Sequence, residues 1–207
     1  MVLSSTLVRK DFKASIDLED VLEKKIMFWR KIYYREKENR RISPNTAPHH
    51  KKHLGSAGYP ISIMRPTFTL IDQSDPIYIR TYRMIVRGIL DYSVSLMKIL
   101  MKASGKSLGY RLVDNGDIRS IDDLVDIFFR QRIGLLDIVD ESINVMRINL
   151  YECMSCYGTR YIGVSLCDFE AGVIEGVLER LYGKNTTIEK YCWGLGYHFC
   201  GFESYFE

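Results

Sequence analysis

Apolar residues recur at helical spacing in four stretches of this chain and form short extended runs in five others. Leu18, Val21, Leu22, Ile26, Phe28, Trp29 and Tyr33 predict a helix from Asp17 or Asp20 to about Tyr34. Glu38–His53, rich in charge and carrying Pro44 and Pro48, reads as a loop or linker. Gly58–Leu70 reads as extended, with Pro60 and Pro66 restricting it to a sheet edge. From Pro76 to Ala103 the apolar set Ile79, Tyr82, Ile85, Ile89, Tyr92, Leu96 and Leu100 predicts one long helix, with Gly105 and Gly109 as stop signals. Asp114–Asp117 marks a turn, and Ser120 with Asp123 caps a helix from Ile121 to about Arg130.

After Arg132 the period shortens. Ile133–Val139 and Ile143–Tyr151 read as paired antiparallel strands. Asp168–Tyr182 reads as a helix stopped by Gly183, and Thr186–Tyr191 and His198–Phe206 close the chain as strands. Helices followed by a β-β-α-β-β unit predict an α+β fold, with helices packed on a twisted antiparallel sheet. The expected organisation is an N-terminal helix and basic extension over residues 1–57, then a single domain over 58–207.

With 46% hydrophobic and 12% aromatic residues, the chain has ample material for a core. A net charge of +3 argues against nucleic acid as a partner. The charge is uneven, however: ten Lys and Arg residues lie between Lys24 and Lys52 against Glu23, Glu36 and Glu38. That stretch reads as a solvated basic face, or as a contact for an anionic or protein partner. Lys10, Asp11 and Lys13 interrupt the apolar start before any secretory pattern forms, and no window is apolar enough to cross a membrane. A cytoplasmic protein is expected, with its five cysteines as thiols or metal ligands.

Cys167, Glu189, Cys192 and Cys200 have the residue types and number of a closed metal site. Cys167 immediately precedes a helix, where the terminal N–H groups favour a thiolate. Glu189 and Cys192 are three apart, so they converge only if their strand bulges or ends between them. The plainer alternative is that these cysteines are small buried hydrophobes. Cys153 and Cys156 form a C-x-x-C whose options are a second metal site, a redox-labile pair or, by default, two structural cysteines. An iron–sulfur cluster there would need two of the three C-terminal cysteines. The chain has no G-x-G-x-x-G, P-loop or G-x-S-x-G signature, and no catalytic residue is assigned. His49, His50 and His53 fall in the presumed loop, and His198 reads as a strand residue.

Residues 151–206 resemble the 4-vinyl reductase domain family. The resemblance is carried by Glu152-Cys153, by Cys167 followed by Gly172 and Gly176, by Gly183, and by Glu189-x2-Cys192-x7-Cys200-x-Phe202. It extends more weakly back to about residue 60 and is strongest with small archaeal members. It implies the NO-signalling and Golgi-transport ligand-binding fold, shared by phenol-sensing bacterial activators and TRAPP tethering subunits. It further implies a structural zinc, carried over onto Cys167, Glu189, Cys192 and Cys200. A homodimer binding a hydrophobic or aromatic small molecule follows as the functional expectation, with the pocket between the Pro76–Ala103 helix and the sheet. The family's name raises two alternatives, an accessory subunit in tetrapyrrole or aromatic vinyl reduction and a TRAPP-like interaction scaffold.

Overall fold

In a computed structural model, which describes residues 18–42, 55–141 and 144–207, the molecule is arranged around one helix. This is α6 (Asp168–Tyr182), and its boundaries follow from local chemistry. Asp168 and Glu170 complement the positive end of the helix dipole and Arg180 the negative end. Gly183, at φ 103°, ends the helix in a conformation that side-chain-bearing residues rarely adopt.

One face of α6 lies on a four-stranded antiparallel sheet of order β1-β2-β4-β3. The strands are β1 (Leu135–Glu141), β2 (Val145–Tyr151), β3 (Asn185–Tyr191) and β4 (Cys200–Phe206). Alternation along the strands separates two cores. Leu136, Met146, Ile148, Leu150 and Phe202 face the core shared with α6. Leu135, Tyr151 and Phe199 face the other side, where α1 (Leu18–Ile42) covers the sheet with Trp29 and Tyr33. Trp29 stacks on Tyr151, and Arg30 pairs with the buried Asp137. Each fully buried apolar side chain of this kind contributes about 1.5–3 kcal/mol. Both faces of β2 are therefore covered. The helix expected to end near Tyr34 runs to Ile42, and most of the expected loop after it lies outside the described residues.

The region before the sheet departs from the expected pattern. The expected edge strand at 58–70 does not form. A 3-10 turn (Gly55–Gly58) leads through irregular backbone into the short helix α2 (Pro66–Ile71). Proline at a first helical position forfeits no hydrogen bond, and Phe68 is buried by the turn. The single long helix is instead two, α3 (Asp75–Tyr92) and α4 (Val94–Asp114). Ser93 is extended at φ −161° and its side chain accepts from the Leu96 N–H, capping α4. Helix α5 (Ile121–Arg130) forms where expected, with a complete Ser120/Asp123 capping box.

The glycines expected to stop the long helix also have another role. Gly105 and Gly109 lie inside α4, facing Gly172 and Gly176 of α6. A Cβ at Gly105 would sit 2.1 Å from the Phe169 carbonyl oxygen, and one at Gly172 would sit 2.3 Å from that of Lys102. The two backbones touch, and only glycine allows it. Lys102 and Lys106 then pair with Glu175 at 2.9 Å, fastening the helices along their solvent edge.

Candidate metal centre

Four elements converge at the N-terminal end of α6. Cys167 occupies its N-cap position with the side chain left free of capping bonds. Cys192 follows β3, whose register against β4 slips between Glu189 and Tyr191. That slip is the bulge required to bring Glu189 and Cys192 to one side. A 3-10 turn (Trp193–Leu195) carries the chain to Cys200, the first residue of β4. Cys153 and Cys156 come from the loop after β2, and no sequence spacing predicts their place here.

All five cysteines are buried, and Cys167 is their centre. Its sulfur lies 3.5 Å from that of Cys153, 3.3 Å from Cys156, 3.9 Å from Cys192 and 3.4 Å from Cys200. Cys156 and Cys200 are 3.0 Å apart. The ligand atoms form two sets of four, each within 4.8 Å: Cys167, Glu189, Cys192 and Cys200, and Cys153, Cys156, Cys167 and Cys200. Glu189 Oε2 accepts the Cys167 backbone N–H at 2.9 Å, and its Oε1 is buried without a partner. A buried carboxylate oxygen without a donor, beside three sulfurs, is suited to a divalent cation.

The electrostatics point the same way. Burial, followed by the charge of Cys192, pushes the Glu189 carboxyl well above its ordinary range. Burial also raises Cys156, Cys167 and Cys200, with neighbouring sulfurs adding to the effect. Burial opposes ionisation at Cys153 too, but hydrogen bonds from the other thiols and the Ser155 backbone N–H outweigh it. A divalent ion supplies the positive charge that makes buried thiolates stable. Three thiolates with one carboxylate, or four thiolates, fit zinc and leave no open position.

The Cys153–Cys156 loop is held from outside. Glu152 enters it at φ 48°, a left-handed conformation that is uncommon for glutamate. Its carboxylate accepts from Trp29 Nε1, from the Thr67 N–H and from Thr67 Oγ1, at 3.0, 2.8 and 2.6 Å. Arg65 donates to the Glu152 carbonyl and forms a two-pronged buried pair with Asp75. Arg83 donates to the carbonyls of Met154 and Tyr157, and Tyr59 Oη to that of Ser155. Behind the loop, Ser155 Oγ and Cys153 Sγ both donate to Glu170 Oε1, while Glu170 Oε2 is buried without a partner. Burial and then the Cys153 charge push the Glu170 carboxyl well up.

A half-open cavity of about 330 Å³ adjoins this loop. Tyr78 and Tyr82 of α3, Arg65, Asp75, Arg132 and Met154 line it. It sits at the first turns of α3 beside the end of α5, rather than between a long helix and the sheet. Tyr82 Oη lies 2.9 Å from Ser155 Oγ, so the cavity wall connects through Ser155 and Glu170 to Cys153.

Residues 146–204, spanning every cysteine together with Glu152, Glu170 and Glu189, match the model of the vinyl-4-reductase domain. The chain belongs to the vinyl-4-reductase family. Two uncharacterised proteins of Methanocaldococcus jannaschii are similar to it. One is 36% identical over 107 residues, covering 51% of this chain and 63% of the relative. The other is 33% identical over 102 residues, covering 49% and 58%. The chain thus spans less than two thirds of the length of either relative. In fold, this vinyl-4-reductase chain is similar to the phenol-responsive sensory domain of the transcription activator PoxR, solved with phenol. The TM-score is 0.52 at 13% identity, covering 61% of this chain and 73% of that one. The α+β reading therefore holds: helices on an antiparallel sheet, in an architecture used by a sensory domain. Among the described residues, no helix is long and apolar enough to cross a membrane.

Proposed function

We infer that this vinyl-4-reductase domain is a small-molecule-binding and sensing module, braced by a zinc ion on Cys167, Glu189, Cys192 and Cys200. The observation that carries the reading is the cavity whose wall, Tyr82 and Met154, is continuous with the cysteine cluster. Tyrosine rings and a methionine offer an apolar, polarisable surface, and Arg132 offers a buried Nη1 without a partner. An aromatic or otherwise apolar molecule with one polar or anionic group matches that lining. The likeness to a phenol-responsive domain supports the ligand class, and the closed donor set supports a structural role for the ion.

Signalling then runs from ligand to loop. A molecule that engages Tyr82 competes with its contact to Ser155 and displaces the segment carrying Cys153 and Cys156. Self-association offers an output. Ile77, Met84, Ile85 and Tyr92 of α3 and Ile99 of α4 are each more than half exposed, and Gly88 adds an open notch between them. Such a stripe supports a homodimer across α3 and α4. The basic segment around Lys24–Lys52 is the proposed contact for a protein partner, as an extension to the ligand-binding domain.

Native mass spectrometry of gently purified protein tests the reading. It should report zinc, a dimer and a retained small molecule, and Met154→Trp should expel the molecule while zinc and dimer persist. A chain that retains no small molecule and shows no saturable binding of phenolic or other aromatic compounds would overturn the ligand-sensing reading.

A further inference from the structure

We propose that the cysteine cluster holds two thiolate-bridged divalent metal ions, with Cys167 and Cys200 shared between them. The inference rests on the zinc reading above and extends it to Cys153 and Cys156. The two sets of four ligands overlap in Cys167 and Cys200 and differ in their terminal pairs. Glu189 and Cys192 complete one shell, and Cys153 and Cys156 complete the other. Two tetrahedra sharing an edge need two bridging donors and four terminal ones, and the cluster provides that number.

The geometry fits a second ion on its own terms. Zinc–sulfur bonds of about 2.3 Å place the sulfurs of a tetrahedral shell about 3.8 Å apart. In the second set, Cys167 lies 3.5 Å from Cys153, 3.3 Å from Cys156 and 3.4 Å from Cys200. The shell therefore needs only a slight expansion to close on an ion. Sulfurs at such separations are too far apart for a disulfide, which requires about 2.0 Å. They are also too close together for the corners of a large iron–sulfur cube.

The loop is also built for ligation. Its carbonyls at Glu152, Met154, Ser155 and Tyr157 are turned to Arg65, Arg83 and Tyr59. This directs them away from the sulfurs, while the Ser155 N–H acts on the Cys153 sulfur. A backbone amide two residues on steadies the charge of a ligating sulfur and fixes its direction, which suits a metal-binding C-x-x-C. The guanidinium groups of Arg65 and Arg83, both fully buried, add positive charge beside a centre whose five thiolates and one carboxylate outnumber the charge of two dications. Cys153 and Cys156 thus belong to the centre and are not inert packing. The ion favoured by such a donor set is borderline-soft, zinc or cobalt rather than magnesium or calcium.

Metal stoichiometry and magnetic coupling test the proposal on the full chain. Reduced protein loaded with zinc chloride and dialysed should carry two zinc ions per chain. Cys153→Ser and Cys156→Ser should each carry one, with unchanged far-ultraviolet circular dichroism. Titration with cobalt chloride adds a signature that mere folding cannot produce. The high-spin electron paramagnetic signal should rise to one equivalent and fall towards two, because a thiolate bridge couples the two ions. Saturation at one ion in the wild type, with Cys153 and Cys156 still reactive as thiols, would overturn the second site and leave the zinc brace standing. Two ions with additive signals would overturn the bridge. Binding of no ion would overturn the zinc brace as well.

Discussion

The two segments that feed the metal centre are held by opposite means. The loop from Glu152 to Tyr157 is gripped by long side chains from elsewhere in the fold, with Arg65, Arg83, Tyr59 and Thr67 bonding to it. The turn from Cys192 to Cys200 leans on backbone: the Leu195 and Tyr197 N–H groups donate to the Cys192 carbonyl, and those of Ile162 and Gly163 to the Gly194 carbonyl. Ring packing among Tyr191, Tyr197 and Phe199 supports it. The first segment is set in place by the protein, and the second is completed by the ion. An ion bound between them therefore joins a rigid half to a compliant one.

Four outcomes would break or sharpen that contrast. Cys200→Ser removes a ligand common to both sets, so it should cost most. We expect metal content below one ion per chain and more than about 4 kcal/mol of stability lost, read by denaturant unfolding. Arg83→Ala should come next, at about 3 kcal/mol, because it leaves the carbonyls of Pro60, Met154 and Tyr157 without their donor. In that variant the Cys153/Cys156 ion should be lost while Glu189 and Cys192 keep theirs, as counted by metal analysis. Chelation of the wild type is subtler: hydrogen exchange should accelerate at residues 192–200 and change less at 152–157. Equal acceleration in both segments would contradict the contrast.

Glu175→Gln is the smallest and serves as a reference outside both segments. It should cost about 1–2 kcal/mol at neutral pH. Burial alone would raise the Glu175 carboxyl, but hydrogen bonds from Lys102, the Thr187 N–H and Lys106 hold it below its ordinary range. A depressed carboxyl stabilises the fold above the unfolded-state pKa, and that contribution fades as pH falls through the folded one. The variant's deficit should therefore shrink towards acid pH in a series of melts.

How much of this the sequence discloses depends on how local each cause is. Helix α6 is legible to the residue because Cys167 and Gly183 bracket a continuous apolar pattern. The Ser120 capping box is legible because all its partners lie close along the chain. The required bulge between Glu189 and Cys192 is also deducible, from the two-residue period of a strand. The break at Ser93 is hidden, since both helices carry apolar residues on inner and outer faces and the spacing runs on through the corner. Gly105 and Gly109 read as stops because the partner glycines on α6 act from far along the chain. Arginine is ordinarily exposed, so nothing in the sequence marks Arg65 and Arg83 as buried. The arrival of Cys153 and Cys156 among the C-terminal ligands is a product of sheet topology, which pairs β2 with β4 and sets the loop beside Cys200.

The glycine contact between α4 and α6 has a consequence at the level of the gene. Any nucleotide change that replaces Gly105, Gly109, Gly172 or Gly176 adds at least a methyl group. Built at those positions, that carbon would fall 2.1, 2.5, 2.3 and 2.4 Å from an opposing backbone oxygen. Neither helix can yield locally, because the obstruction is main chain and not a side chain that can turn aside. These four codons should therefore be among the least permissive in the reading frame, although none of the four residues touches a ligand or an ion.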